Sequence, residues 1–256
     1  FSLTAAIRYV KKKLKKHVWV FFQDFSKAFD LANHDCMHLK LHQIGITGKM
    51  LQNVMRLYKD MKAKVRVNGD LTDEFDVKVG TAQGCVLSPT LFNIYIQDLL
   101  AELEIAGLAS EILAYADDLV VVADSAEKLQ ELINICSEWT RKWRMKANVK
   151  FADGSKSAIM VVKKYKNSKL ELPKFNYLKQ ELPIVDHYKY LGVYFDNNLD
   201  FKKQLGKCRS TAAYNLRCLK RIVCDRGIPL TIKAEIIGSC VLSAALYGAE
   251  TWSWGF

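Results

Sequence analysis

The sequence predicts an α+β fold in which an antiparallel sheet carries helices packed on one face. Short β-prone runs alternate with longer stretches of helical apolar spacing through the first 199 residues. Two apolar runs, residues 112–115 and 119–123, are separated by only three residues, which is the pattern of a β-hairpin. From residue 200 onward the chain becomes helical and basic. We therefore expect a mixed domain over residues 1–199 and a helical domain over residues 200–256.

The first elements follow from the spacing of apolar residues. Residues 3–16 carry apolar side chains at helical intervals and end in a cationic turn, which is typical of a helix C-terminus. Residues 19–22 are β-prone, and Asp24 stands at the end of that strand. Two helices are then predicted, over residues 35–43 and 49–62. A pair of short strands follows over 64–68 and 75–79, around the turn Asn68-Gly69-Asp70.

The later elements lead into and out of the hairpin. Pro89 suits the first turn of a helix, and residues 90–104 continue it with apolar spacing. After the hairpin, residues 125–143 have the pattern of an amphipathic helix. Two further strands are predicted at residues 159–162 and 190–195.

The charge and the cysteine content of the sequence indicate which partners and which cellular compartment to expect. The 256 residues include 38 Lys and Arg against 27 Asp and Glu, a formal charge of +11. This surplus favours an anionic partner, with nucleic acid ahead of an acidic membrane surface, although a basic charge can also lack a function. Seven scattered cysteines without a Cys-x-x-Cys pair argue against a disulfide framework and a zinc ribbon. We expect an intracellular protein, in the nucleus, the cytoplasm or both, that is not secreted and needs no membrane.

Three carboxylates occupy unusual positions. Asp24 ends an apolar strand, and Asp117 and Asp118 lie between the two strands of the hairpin. Adjacent carboxylates repel each other, and a hard divalent cation removes that repulsion because it prefers oxygen ligands. Two such ions about 4 Å apart can catalyse phosphoryl transfer. On spacing alone, a merely polar turn is the better explanation of Asp117 and Asp118, since aspartate is common in turns.

Five ordered blocks of sequence resemble the reverse transcriptases of non-LTR (LINE-type) retrotransposons. The blocks are VFFQDFSKAFD (20–30), GTAQGCVLSPTLFNIYIQDL (80–99), YADD (115–118), YKYLGVYFDNNLDF (188–201) and LYGAETW (246–252). The resemblance implies a polymerase palm, formed by the sheet and its helices over residues 1–199 with a remnant of the fingers, followed by a helical thumb. It also implies that the fingers are truncated and that the chain is a piece of a longer polypeptide, because the first ten residues resemble the helix that follows the fingers.

The resemblance further implies an RNA-directed DNA polymerase that transfers deoxynucleotides to a primer 3′-hydroxyl. Its partners would be an RNA template, a DNA primer and deoxynucleoside triphosphates, with no membrane; no oligomeric state is indicated. Asp24, Asp117 and Asp118 correspond to the catalytic aspartates of the family. Two Mg²⁺ ions, with Mn²⁺ as an alternative, would be held by Asp24, Asp117 and the backbone carbonyl of Phe25.

The remaining site residues are also implied by the resemblance. Phe29 would exclude a ribose 2′-hydroxyl, Gln83 would contact the nucleotide and the template–primer together with Gly84, and Lys156 would lie near the triphosphate. Ala82 replaces a proline that is usual in the family before this glutamine. Contacts to template and primer are expected from Tyr115, from a primer-grip turn at Tyr190, Leu191 and Gly192, and from thumb residues Lys202, Lys203, Lys207 and Arg209. The plain alternatives are a core aromatic for Phe29, a buried strand aromatic for Tyr115, an exposed turn lysine for Lys156 and a solvated helix face for the thumb.

Two other functions fit the residues less completely. A catalytically incomplete remnant of a retrotransposon polymerase would bind nucleic acid without incorporating nucleotides. A carboxylate-dependent nuclease would need a further acidic residue near the three aspartates.

Overall fold

The computed structural model describes residues 2–59, 61–149, 156–165 and 170–253. The helices are α1 to α11 in chain order: Ser2–Arg8, Ala28–Leu31, His34–Gln43, Gly48–Tyr58, Ser88–Ala106, Ala126–Lys142, Lys202–Cys218, Lys220–Cys224, Leu230–Ile237, Ser243–Ala245 and Ala249–Trp252. The strands are β1 to β12: Val18–Asp24, Lys62–Ala63, Arg66–Val67, Asp70–Leu71, Phe75–Asp76, Glu111–Tyr115, Asp118–Ala123, Ala158–Val162, Phe175–Tyr177, Gln180–Leu182, His187–Tyr190 and Val193–Asp196.

A four-stranded antiparallel sheet, in the order β6-β7-β1-β8, forms the centre of the fold. Every residue of β1 is buried, so both faces of the sheet are covered. Trp19 and Phe21 face one apolar cluster that includes α3, α5 and α6. Val20 and Phe22 face a second cluster, which is closed by α1 and by the hairpin of β11 and β12. The alternation follows from the two-residue period of a strand.

Several predicted elements are confirmed with shifted ends, one predicted strand is wrong, and one hairpin was not predicted. The helix expected over 3–16 is α1 followed by a π-helical turn that ends at Lys13. The helix expected over 49–62 ends at Tyr58, because Lys62–Ala63 pairs with Phe75–Asp76. The strand expected over 190–195 is instead the hairpin β11–β12, whose turn is Leu191-Gly192. The hairpin of β9 and β10 was not predicted.

A buried lysine ties three helices together in the larger cluster. Lys40 of α3 forms an ion pair with Asp98 of α5, and its side chain is 3% exposed. Its ammonium lies 3.7 Å from the centre of the Trp143 ring and 4.7 Å from those of Tyr95 and Trp139. Burial lowers the pKa of Lys40 to about 8, against the opposing effect of the Asp98 carboxylate. The charge is therefore held by one carboxylate, by the backbone carbonyl of Tyr95 and by an aromatic cage.

Helices α7 to α11 follow the sheet and match the predicted helical thumb. The turn before α7 is fixed by Asp196, whose carboxylate accepts hydrogen bonds from the backbone amides of Asn198, Asp200 and Phe201. The division of the chain into domains at residue 200 stays a prediction. In the described residues, no helix is long and apolar enough to cross a membrane.

Candidate active site

The three aspartates predicted from the sequence lie at one end of the central sheet. Asp24, the last residue of β1, is paired directly with Asp118, the first residue of β7. Asp118 is also paired with Tyr115, so Ala116 and Asp117 form the tip of the β6–β7 hairpin. Ala116 has a φ of 53°, a left-handed conformation that suits a tight hairpin turn. The sheet thus places Asp24, Asp117 and Asp118 together.

Burial and mutual repulsion both act on Asp118, the middle carboxylate of the three. Burial raises the pKa of Asp118, and the charges of Asp117 and Asp24 raise it further. Lys156 opposes this effect. Its ammonium lies 3.6 Å from Oδ1 of Asp24 although 67% of its side chain is exposed, so the lysine is both solvent-exposed and part of the site.

Two residues that flank Lys156 in the sequence, Asn148 and Ser157, were not assigned to the site and hold Asp24 in place. The Asn148 amide donates to the carbonyl of Asp24 at 2.9 Å, and Nδ2 of Asn148 lies 3.4 Å from Oδ2 of the same residue. The Asp24 amide donates to Oγ of Ser157 at 3.1 Å. The Ser157 amide donates to the carbonyl of Asn148 at 3.0 Å, which closes the base of the loop between them. The order Asn148, Lys156, Ser157 was visible in the sequence, but the residues inserted between them obscured it.

Phe25 continues this pairing beyond the end of β1. It forms an isolated antiparallel bridge with Ala147, and the Ser26 amide donates to the carbonyl of Lys146 at 2.7 Å. The hydrogen bonds on either side of the bridge therefore use backbone groups of Asp24 and Ser26 rather than those of Phe25. The Phe25 ring packs edge-on against Trp139 at 6.0 Å and anchors the segment in the core.

The glycine-rich loop after β5 is attached to the helical turn that carries Phe29. The amides of Gly80 and Thr81 donate to the carbonyls of Ala32 and Phe29, each at 2.7 Å. A side chain at Gly80 would place its Cβ 2.9 Å from the carbonyl oxygen of Asp30, so only glycine fits this contact.

This attachment brings two predicted nucleotide-binding residues to one region. Nε2 of Gln83 donates to Oδ1 of Asp30 at 3.1 Å, one residue from Phe29. Phe29 is half-buried and packs on Phe92 at 4.7 Å between ring centres. Gly84 follows Gln83 with a φ of 83°, a conformation that favours glycine.

Tyr115 and two residues of the predicted primer-grip turn, Tyr190 and Leu191, line one cavity of about 220 Å³ between β6 and the β11–β12 hairpin. Tyr115 is 66% exposed, so the alternative of a buried strand aromatic is wrong. Leu191 and Gly192 form the turn with φ values of 45° and 83°. The β6–β7 hairpin and this turn are therefore direct neighbours.

Tyr188 is a further residue of the site that the sequence did not single out. Its ring stacks on Phe22 at 3.9 Å, and its hydroxyl donates to the carbonyl of Lys156. Burial raises the pKa of Tyr188, as do the charges of Asp24 and Asp118, so the hydroxyl stays protonated. Burial likewise raises the pKa of Tyr190 to about 12. The two tyrosines connect the β11–β12 hairpin to the carboxylates.

The predicted basic residues of the thumb are exposed on α7. Lys203 and Lys207 each lie 5.0 Å from the centre of the Tyr194 ring, one helical turn apart. Lys202 pairs with Asp200 at 3.2 Å, and Arg209 is exposed. Their contacts lie on the thumb and the β11–β12 hairpin rather than at the carboxylates.

The donor atoms of the site suit a hard divalent cation. In the part of the chain that the structure describes, no three His, Cys, Asp or Glu side chains already form a complete ligand set. Asp24 and Asp118 nevertheless face each other across the sheet, with Asp117 beside them. Carboxylate oxygens that repel one another are the donors that Mg²⁺ and Mn²⁺ prefer, so the residues present fit such an ion.

Comparison with known proteins identifies the family. The family model described as reverse transcriptase (RNA-dependent DNA polymerase) matches residues 2–195. The chain belongs to the reverse transcriptase family. The RNA-directed DNA polymerase from mobile element jockey of Drosophila funebris is 25% identical to it, over 92% of this chain and 26% of the relative. The Pol polyprotein from retrotransposable element R2 of Popillia japonica is 28% identical, over 94% of this chain and 34% of the relative.

These relatives come from non-LTR retrotransposons, so the predicted family is confirmed. The chain spans about a quarter to a third of the length of these two curated relatives. The solved structure of apo telomerase from Candida tropicalis matches 99% of this reverse transcriptase chain and 45% of its own, with a TM-score of 0.55 at 13% identity. This likeness confirms the predicted α+β fold. Reverse transcriptases use divalent metal ions, in agreement with the oxygen donors of the site.

Proposed function

We propose that this chain provides the palm and thumb of an RNA-directed DNA polymerase that transfers deoxynucleotides to a primer 3′-hydroxyl. The observation that carries the proposal is the direct pairing of Asp24 with Asp118, with Asp117 at the adjacent hairpin tip, in a reverse transcriptase chain. Carboxylates so placed are destabilising for the fold unless they serve to bind a cation.

Asp24, Asp117 and the Phe25 carbonyl are the groups that would hold two Mg²⁺ ions, or Mn²⁺ ions. When bound, the ions supply charge neutralisation and positioning for phosphoryl transfer. The chain's own residues then select and orient the nucleotide. Phe29 excludes a ribose 2′-hydroxyl by its bulk, and Gln83, oriented by Asp30, contacts the nucleotide.

The positive groups of the site oppose the charge of the substrate. Lys156 forms an ion pair with Asp24 when no nucleotide is present and turns to the triphosphate when one binds. Release from the carboxylate requires little movement, because most of the lysine side chain is already exposed.

An RNA template and a DNA primer are the proposed nucleic-acid partners. A telomerase of Candida tropicalis solved in complex with a fragment of telomeric RNA has a similar fold, with a TM-score of 0.54, which supports RNA as a partner. Gly84, Tyr115 and the turn of Tyr190, Leu191 and Gly192 would contact template and primer near the carboxylates. The exposed residues Lys202, Lys203, Lys207 and Arg209 would bind phosphates without regard to sequence.

The test is primer extension on an RNA template with deoxynucleotides and Mg²⁺. We expect Asp117→Asn to reduce incorporation by about 100-fold or more, because it removes a metal ligand from the site. Asp73→Asn is the matched control, since Asp73 is an exposed loop residue away from the site. Equal incorporation by the wild type and Asp117→Asn would refute the proposal.

The same assay separates the alternatives. Salt-dependent binding of primer–template without incorporation by the wild type would indicate the nucleic-acid-binding remnant. Cleavage of the primer in place of extension would indicate a nuclease. We also propose an intracellular location, in the nucleus, the cytoplasm or both, which the seven free cysteines support.

A further inference from the structure

A tyrosine of the thumb is bonded to the turn proposed as the primer grip. The hydroxyl of Tyr247 donates to the carbonyl of Leu191 at 2.9 Å, across 56 residues of sequence. The ring of Tyr247 lies so close to Gly192 that a Cβ at this glycine would be 3.0 Å from Cε1 of Tyr247. The contact therefore depends both on the hydroxyl and on the missing side chain of Gly192.

The turn that receives this contact is strained. Leu191 has a φ of 45°, a left-handed conformation that is unfavourable for a residue with a side chain. Such a conformation persists where the surroundings hold it in place, and it is common at sites that position a ligand. The hydrogen bond from Tyr247 fixes the carbonyl of this strained residue and thereby the orientation of its peptide.

The residues after Tyr247 strengthen the attachment. A Cβ at Gly248 would be 2.7 Å from Cγ2 of Val193, so the thumb backbone rests on the first residue of β12. Nε1 of Trp252 donates to the carbonyl of Tyr247 at 3.2 Å. The Trp252 side chain packs against the apolar cluster that contains Val193. The segment Tyr247-Gly248-Ala249-Glu250-Thr251-Trp252 thus holds the β11–β12 hairpin from the thumb side.

The opposite side of the same turn faces the catalytic hairpin. Leu191 shares the 220 Å³ cavity with Tyr115, two residues before Asp117. Thr251 of the thumb lines this cavity as well. A shift of the Leu191 peptide would therefore change the space next to the carboxylates.

We propose that Tyr247 is a positioning residue for nucleotide transfer. Its hydroxyl fixes the Leu191 carbonyl, and so sets the distance between the primer-grip turn and the catalytic hairpin, where the primer 3′-end must lie. The inference rests on the polymerase function proposed above, and it assigns a role to the LYGAETW block that the catalytic residues do not explain.

The decisive variant is Tyr247→Phe, which removes only the hydroxyl. We expect the kcat of single-nucleotide incorporation to fall by about 3- to 10-fold, the effect of losing one hydrogen bond. The KM for the nucleotide and the Kd for primer–template should stay within about twofold, because Tyr247 contacts neither carboxylates nor the triphosphate region. Tyr214→Phe is the matched control, because Tyr214 is an exposed tyrosine on α7 with 65% of its surface in water.

A second measurement reports on the primer end without any chemical step. A primer with 2-aminopurine at its 3′-end is bound to the RNA template and the full chain, and its fluorescence is recorded. We expect Tyr247→Phe to change the fluorescence of the bound primer, while Tyr214→Phe matches the wild type. Gly192→Ala should reproduce the change, since its Cβ would push the Tyr247 ring away.

The outcomes separate this inference from the proposed function. Identical fluorescence for the wild type, Tyr247→Phe and Gly192→Ala would overturn the positioning role, and so would an unchanged kcat for Tyr247→Phe. If the wild type and Tyr214→Phe give the same fluorescence but neither incorporates a nucleotide, the polymerase function is refuted. The fluorescence of Tyr247→Phe then still decides the role of Tyr247.

Discussion

Replacing Asp118 with asparagine should stabilise the protein while it impairs the site. Asp118 lies opposite Asp24 on the neighbouring strand and follows Asp117 in the chain; burial raises its pKa, and these two charges raise it further. Like charges directly opposite on neighbouring strands destabilise a sheet by about 0.2–1 kcal/mol. With Asp24 opposite and Asp117 next to it in the chain, we expect Asp118→Asn to raise the free energy of unfolding by about 1 kcal/mol at neutral pH.

The assay is thermal unfolding without divalent ions, in the presence of a chelator. A gain of about 1 kcal/mol corresponds to a rise in Tm of about 2–4 °C for a chain of this size. Asp73→Asn, an exposed loop carboxylate, serves as the control and should change Tm little. Added Mg²⁺ should reduce the advantage of Asp118→Asn, because a bound cation offsets the repulsion in the wild type.

The pH dependence of unfolding gives an independent check that Asp118→Asn stabilises the protein rather than destabilising it. Folding raises the pKa of Asp118 above its ordinary value of 3.8, so the folded state holds this proton more strongly than the unfolded state. The wild type therefore loses stability relative to Asp118→Asn as the pH rises from 3.8 through the raised pKa, and the difference vanishes at lower pH. A variant less stable than the wild type at neutral pH would refute this account of the site.

Two further predictions concern the core and the choice of sugar. Lys40→Met leaves the Asp98 carboxylate without its cation, and since a third of Asp98 is exposed we expect a loss of about 2–3 kcal/mol, or about 5–10 °C in Tm. Lys142→Met is its control, because Lys142 lies over the same Trp143 ring but is exposed, and equal losses would contradict the prediction. Phe29→Val should raise incorporation of ribonucleotides relative to deoxynucleotides by about 10-fold or more in primer extension, and an unchanged ratio would argue against steric exclusion.

The parts of the fold that the sequence predicted are those with strong local signals. The apolar run of β1, the hairpin around Asp117 and the amphipathic helix α6 are all found with small shifts at their ends. The β9–β10 hairpin was missed because its turn begins with Leu178, which adopts a φ of 54° without the glycine or asparagine that usually marks such a turn. A local pattern cannot reveal a turn whose conformation is imposed by packing around it.

In the candidate site, too, the residues with a local sequence signal were predicted and those that depend on long-range contacts were not. The sequence predicted that Asp24, Asp117 and Asp118 belong to the site, because each stands where an apolar strand ends or begins. Asn148 and Ser157 were not assigned, because their contact with Asp24 joins segments 124 and 133 residues apart. The role of Tyr188 depends in the same way on stacking against Phe22, a contact that only the folded sheet creates.

The hydrogen bond from the Ser157 amide to the Asn148 carbonyl has a consequence for how this sequence can vary in length. Asn148 and Ser157 are fixed to each other and to Asp24, and Lys156 directly precedes Ser157, so the place of Lys156 beside Asp24 depends on this fixed end. Doubling the number of residues between two fixed ends costs only about 0.6 kcal/mol. Related sequences can therefore differ in length between positions 148 and 156 while Lys156 keeps its place beside Asp24.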